Sequence, residues 1–232
     1  MNRFKILNGN ILKLIALITM TIDHIGLILF PDAIFLRIIG RIAFPIFAFF
    51  IAEGCRYTKN KTKYLLLMLG VGLFSQLFVG AFLHFYKLNI LFTFSFSIIL
   101  IYIYQGIQTA IQKHNKKLAC ILIGLFVIYL SVLVILFFPH IHLSNFTVDY
   151  GFFGIMLPFI VSLHSNKYIQ LALFFIGLLL VSIFLGGIQY YGLISIIPIM
   201  LYNGERGRIK LKYLFYAYYP LHLMIILLLK TI

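Results

Sequence analysis

From Ile11 onward the chain is one apolar run after another, each broken by a basic cluster or by Gly, Pro and Asn. A helix needs about 20 apolar residues to cross the hydrocarbon core of a bilayer. Nine stretches are candidates: 11–30, 33–55, 64–83, 89–112, 118–138, 148–163, 168–186, 188–202 and 213–231. The sixth and eighth are short, so eight to ten spans fit the same pattern. Backbone groups in lipid must pair internally, and these runs lack the apolar/polar alternation of a barrel strand. The expected fold class is all-α, a polytopic membrane helix bundle. At 63% hydrophobic and 10% charged residues, the chain lacks the polar surface to coat a soluble globule. No strong internal repeat or Pro-rich linker divides it, and residues 1–232 read as one integral membrane domain.

Lys and Arg number 19 against 5 Asp and Glu, a formal charge of +14. In a soluble protein that excess points first to nucleic acid. In a membrane chain loop charge is mainly topogenic, and no nucleic-acid partner is expected. Placing the N-terminus in the cytoplasm puts fourteen loop cations inside, at 3–5, 56–63, 113–117, 167 and 206–212, and leaves Lys87 and Lys230 outside. The positive-inside rule then predicts N-terminus in, C-terminus out, in the cell membrane. With 15 Tyr and no Trp, Tyr57, Tyr64, Tyr86, Tyr168 and Tyr213 at span ends supply the interfacial belt. The basic start at 1–5 looks like a signal peptide. However, Lys13 and Asp23 interrupt the run behind it and no small-residue cleavage site follows, so it is kept as the first span. Cys55 and Cys120 sit in apolar runs and read as small hydrophobes rather than a disulfide or metal pair.

Five charges remain inside the predicted spans: Lys13, Asp23, Arg37, Arg41 and Glu53. Each costs roughly 2.5–3.5 kcal/mol at a helix centre, so a functional site is the default expectation. At about 1.5 Å per residue, Asp23 and His24 lie about 9–10 Å below the outer face. On the same scale, Arg37 and Arg41, on the returning helix, lie about 6 and 12 Å below it. Pro31 and Asp32 make so short a link that the two helices must be antiparallel neighbours, with Asp23 placed to pair with Arg37 or Arg41. Asp149 opens the sixth span from the same side. Lys13 and His24 fall on one helical stripe, about 16 Å apart along the axis. The alternative reading of this set is a buried ion-pair network that merely locks two helices together, with His24 a bystander.

Outside that layer, His222 lies mid-span behind Pro220 and is a candidate acid or base. His140 and His142 read as a solvated loop pair, while His84, His114 and His164 fall at span ends. Glu53 is expected to pair with a loop cation. The loop 203–208 (NGERGR) offers arginine forks and glycine amides suited to phosphate, or is simply a topogenic basic loop.

Several segments carry a family resemblance. Residues 12–26 (LKLIALITMTIDHIG) and 36–54 (LRIIGRIAFPIFAFFIAEG) resemble the hallmark blocks of the TraX family of conjugal-transfer proteins. Residues 88–93 (LNILFT), 149–151 (DYG), 201–207 (LYNGERG), 212–216 (KYLFY) and 219–222 (YPLH) fit its later blocks in order. The resemblance implies a multi-pass acetyltransferase, since the family is named for acetylation of the pilin amino terminus. The chain is also similar to the wider transmembrane acyltransferases, in which a basic residue separated from a histidine by ten others marks the active site. Lys13 and His24 fit that spacing, with Lys where Arg is commoner.

The expected activity is therefore transfer of an acetyl group from cytoplasmic acetyl-CoA to an amine or hydroxyl, on a pilin-like N-terminus or a surface glycan. Lys13, Arg206, Arg208, Lys210 and Lys212 would hold the donor, and His24 would act as base or acetyl carrier. Arg37 or Arg41 would stabilise the oxyanion with Asp23 limiting their charge, and His222 would assist. No metal is expected, and a homo-oligomer is left open. The rivals are a proton-coupled transporter using Asp23, His24, Arg37 and Arg41, and a noncatalytic assembly factor.

Overall fold

Five asparagines start helices, Asn60 among them through the Lys63 amide at 2.8 Å. Each side-chain oxygen accepts a backbone N–H of the first turn that has no partner inside the helix. Asn8 takes the amides of Asn10 and Ile11 at 3.0 and 3.1 Å and opens α1 (Gly9–Ile28). Asn89 opens α5 (Ile90–Gln112), Asn115 opens α6 (Lys116–Phe137) and Asn166 opens α8 (Lys167–Leu185) in the same way. The computed structural model describes residues 6–83, 87–139, 147–208 and 211–230, without the side chains of 79–83 and 212. The remaining helices are α2 (Ile34–Gly40), α3 (Ala43–Tyr57), α4 (Lys61–Leu83), α7 (Gly151–Ser162), a 3₁₀ segment (Gly187–Ser195), α9 (Ile196–Met200) and α10 (Lys212–Lys230). The all-α bundle expected from the sequence is what forms. Two two-residue strands, β1 (Lys87–Leu88) and β2 (Thr147–Val148), add one short parallel pairing.

Among the described residues six helices are long and apolar enough to cross a membrane, with Ile34–Tyr57 counted as one. That stretch is not continuous. Pro45 has no N–H to return to the Arg41 carbonyl, and the amides of Arg41 and Ile42 instead reach back three residues, to Ile38 and Ile39. The helix breaks at Arg41 and Ile42, beside the charged layer. The short eighth run also departs from a plain α-helix. Gly187–Ser195 is 3₁₀, which rises about 2.0 Å per residue against about 1.5 Å for an α-helix and so covers more depth with fewer residues.

The core gathers where α1, α3, α5, α7 and α8 meet, around Leu12, Ala16, Ile46, Ile98, Leu100, Ile155, Leu157 and Phe174. Helix α10 closes the other side, against α1 and α4. Ile121, Val127, Ile128 and Ile135 leave α6 with a broad exposed apolar face, the surface a bilayer would solvate.

Candidate active site

Two glycines let α1 and α2 approach closely enough for ion pairing. A Cβ on Gly40 would overlap the Asp23 side chain, and one on Gly26 would lie 2.7 Å from the Leu36 Cβ. In that gap Asp23 accepts from two arginines at once, Arg37 Nη1 at 2.7 Å on Oδ2 and Arg41 Nη2 on Oδ1. Arg41 is the more buried, its side chain 6% exposed against 22% for Arg37. Its Nε donates to the Arg37 carbonyl at 3.1 Å, and its Nη1 to Tyr150 Oη at 3.2 Å and Gln189 Oε1 at 3.4 Å. Arg37 by contrast, among the described residues, donates from Nη1 to the Asp23 carboxylate and carbonyl. Tyr150 is held for this contact. It adopts a left-handed φ of 59°, stacks on Phe44 at 3.7 Å between ring centroids, and follows Asp149, whose carbonyl accepts from Thr93 Oγ1 at 2.7 Å. Asp149 itself pairs with Lys87 at 2.9 Å.

His24 turns from this cluster toward α10. Its Nδ1 lies 2.9 Å from His222 Nε2, and His222 Nδ1 lies 2.9 Å from the Tyr218 carbonyl oxygen. A carbonyl only accepts, so His222 carries its proton on Nδ1 and presents Nε2 as an acceptor. His24 must then donate from Nδ1, which leaves its Nε2 as the basic atom. Tyr218 stacks on the His222 ring at 11°, Tyr219 packs edge-on, and Tyr218 Oη meets Thr21 Oγ1 at 2.7 Å. The pair is thus clamped in orientation from α1 and α10.

Two cavities of about 520 and 530 Å³ run through the bundle and share Met20, Phe47, Ile90 and Tyr219 as a common waist. His24, one helical turn beyond Met20, lines the second cavity with Asp23, Arg37, Arg41, Lys87, Asp149 and Gln189. The first cavity reaches the opposite end of α1, where it is lined by Lys13, Tyr202, Gly204 and Arg206. Lys13 Nζ sits over the rings of Phe50 and Phe215, 4.8 and 5.5 Å from their centroids. The 201–207 loop is tied to the start of α1 by Gly9 N–H to the Glu205 carbonyl at 2.7 Å and Asn10 N–H to the Arg206 carbonyl at 3.1 Å.

The structure therefore brings Asp23, His24, Arg37 and Arg41 into one cavity with His222 directly behind, and places Lys13 and Arg206 in the other. Arg208 is exposed and lines neither. Lys210 lies outside the described residues, as do His84, His140 and His142, and the side chain of Lys212 is not described. Glu53 pairs with Arg56 at 2.9 Å, as expected, and also accepts from Gln170. Sequence reasoning missed Tyr150, Gln189 and Tyr218. Tyr150 and its Gly151 neighbour were visible only as a family block, and Gln189 carried no signal.

A family model described as "TraX protein" matches residues 8–230. The uncharacterized protein RP591 of Rickettsia prowazekii is 32% identical over 167 residues, covering 71% of this chain and 60% of that protein. A probable fimbrial assembly protein FimC, serogroup H1, of Dichelobacter nodosus is 38% identical over 71 residues, 29% of each chain. The matched stretch thus spans less than two thirds of either relative. No solved structure matches.

Proposed function

The chain belongs to the TraX family, and on that premise we propose that it is a membrane-embedded acetyltransferase, moving the acetyl group of acetyl-CoA to an amine or hydroxyl acceptor. The observation that carries this reading is the oriented His24–His222–Tyr218 relay beside the waist at which two cavities from opposite ends of the bundle meet. Acetyl-CoA enters at the Lys13 and Arg206 end, where cationic groups suit its phosphates. Its thin pantetheine arm runs past the apolar walls of the first cavity to bring the thioester to the waist. The acceptor comes from the second cavity. His24 Nε2 takes the acceptor's proton as its oxygen or nitrogen bonds to the carbonyl carbon, the C–S bond breaks, and the proton passes on to the departing sulfur. His222 holds the His24 ring in the tautomer with Nε2 free and, through the Tyr218 carbonyl, stabilises positive charge as it develops.

With the N-terminus inside, the Lys13 end faces the cytoplasm, the compartment of the donor, and the second cavity faces outward in the cell membrane. The probable fimbrial assembly protein among the relatives is consistent with a surface peptide acceptor. The test is His24→Ala in purified, detergent-solubilised protein supplied with labelled acetyl-CoA. Transfer should disappear while the variant remains folded, and retained transfer rejects His24 as the catalytic base. The same in-line cavities would serve a proton-coupled transporter, which predicts flux driven by a pH gradient and no release of CoA thiol.

A further inference from the structure

Tyr150 is fixed more closely than its place at the start of a helix requires. It is the N-cap of α7 with a left-handed φ of 59°, a conformation that is costly for a bulky residue, and Gly151 follows at 53°. Its Cβ fills the space that a Cβ on Gly154 would need, 2.4 Å away, and its ring stacks on Phe44. Arg41 Nη1 donates to the phenol oxygen at 3.2 Å. Backbone, ring and oxygen are thus each held by a different contact. A phenol both accepts and donates. Accepting from a guanidinium polarises it, so that its own O–H becomes the stronger donor.

Depth along two helices says what that O–H can reach. Helices α1 and α3 run in opposite directions, with Gly9 beside Phe50 at one end and Asp23 beside Gly40 at the other. Phe44 lies three residues before the waist residue Phe47, about 4.5 Å of rise. His24 lies four residues after the waist residue Met20, about 6 Å of rise in the same direction. Tyr150, stacked on Phe44, and His24 therefore line the second cavity at about the same level, one turn beyond the waist. A thioester brought through the waist from the first cavity emerges at the level of a base and of an O–H donor.

We infer that Tyr150 is the oxyanion donor of acetyl transfer, its O–H hydrogen-bonding the acetyl carbonyl oxygen as negative charge develops there, with Arg41 a positioning residue behind it. This rests on the acetyltransferase reading. The acceptor atom bonds to the carbonyl carbon and the C=O electron pair moves onto the oxygen facing Tyr150. The pair returns as the C–S bond of acetyl-CoA breaks. Tyr150 keeps its proton throughout, while the acceptor's proton reaches the CoA sulfur by way of His24.

The experiment measures CoA thiol release and labelled acetyl transfer by the full chain in nanodiscs, with a short peptide bearing a free N-terminus and with glucose as acceptors. Tyr150→Phe keeps the ring on Phe44 and removes only the hydroxyl, so kcat should fall about 10²–10³-fold with KM for acetyl-CoA nearly unchanged. Replacing Tyr150 by 2-fluorotyrosine and then 3-fluorotyrosine, phenols of increasing acidity and nearly the same shape, should raise kcat stepwise at pH 7, which a merely structural hydroxyl would not do. Because that series keeps the hydroxyl, it decides the matter should Tyr150→Phe fail to fold. Full kcat in Tyr150→Phe, or a kcat indifferent to the fluorotyrosine series, overturns the oxyanion role and leaves the acetyltransferase standing. Absence of thiol release from the unaltered chain with both acceptors overturns both.

Discussion

Asp23 is a single carboxylate holding one buried and one half-buried cation, and that ratio makes a lopsided prediction. Asp23→Asn keeps the shape of the side chain but leaves Arg37 and Arg41 facing each other with no anion between them. Arg41, at 6% exposed, would be left, among the described residues, with hydrogen bonds to the neutral Arg37 carbonyl, Tyr150 and Gln189. Removing one partner of a buried pair costs about 3–5 kcal/mol, because the charge left behind is uncompensated. Arg41→Gln should cost less, about 1.5–3 kcal/mol for the lost charge-assisted bonds, since Asp23 still has Arg37 at 2.7 Å. The Asp23→Asn/Arg41→Gln double variant removes charge in a matched pair and should be more stable than Asp23→Asn alone. Equilibrium unfolding by SDS titration in mixed micelles measures all three. If Asp23→Asn proves no worse than Arg41→Gln, or the double variant shows no coupling, water screens the cluster and the account of a desolvated network is wrong.

Gly40→Ala places a methyl group where Asp23 now sits; overpacking of this kind costs about 1–3 kcal/mol, and acetyl transfer should fall with the lost ion-pair geometry, read by SDS unfolding and transfer assay together. His222→Ala removes the group that orients His24, so kcat should drop about 10²–10⁴-fold with KM for acetyl-CoA nearly unchanged, and full activity in that variant would dismiss the relay.

Much of the bundle is legible without coordinates because its elements answer to local rules. Apolar runs of membrane length become helices, and Asn8, Asn60, Asn89, Asn115 and Asn166 start five of them, since an asparagine side chain competes well for unpaired first-turn amides. The break at Arg41 was less accessible. Pro45 alone reads as an ordinary first-turn proline, and only the structure shows the amides of Arg41 and Ile42 turning back to Ile38 and Ile39. Asp23, Arg37 and Arg41 were identifiable as a layer because α1 and α2 are joined by a link too short to let them separate, so that depth along two helices sufficed.

His222 is the contrasting case. It lies 198 residues from His24, and helical periodicity carries no information about which of several later spans returns to lie against the first. The solvent the chain must live in, the helical class and the set of costly charges are legible from residues alone, for each follows from composition and from distances along one helix or across one turn. Which charges face the same cavity, which nitrogen of His24 is left basic, and that two cavities share Met20, Phe47, Ile90 and Tyr219 depend on how α10 packs on α1 and α4, and the 3₁₀ segment on α2 and α3. Those contacts are made between segments far apart in the chain, where shape and hydrogen-bond complementarity decide and no local pattern does.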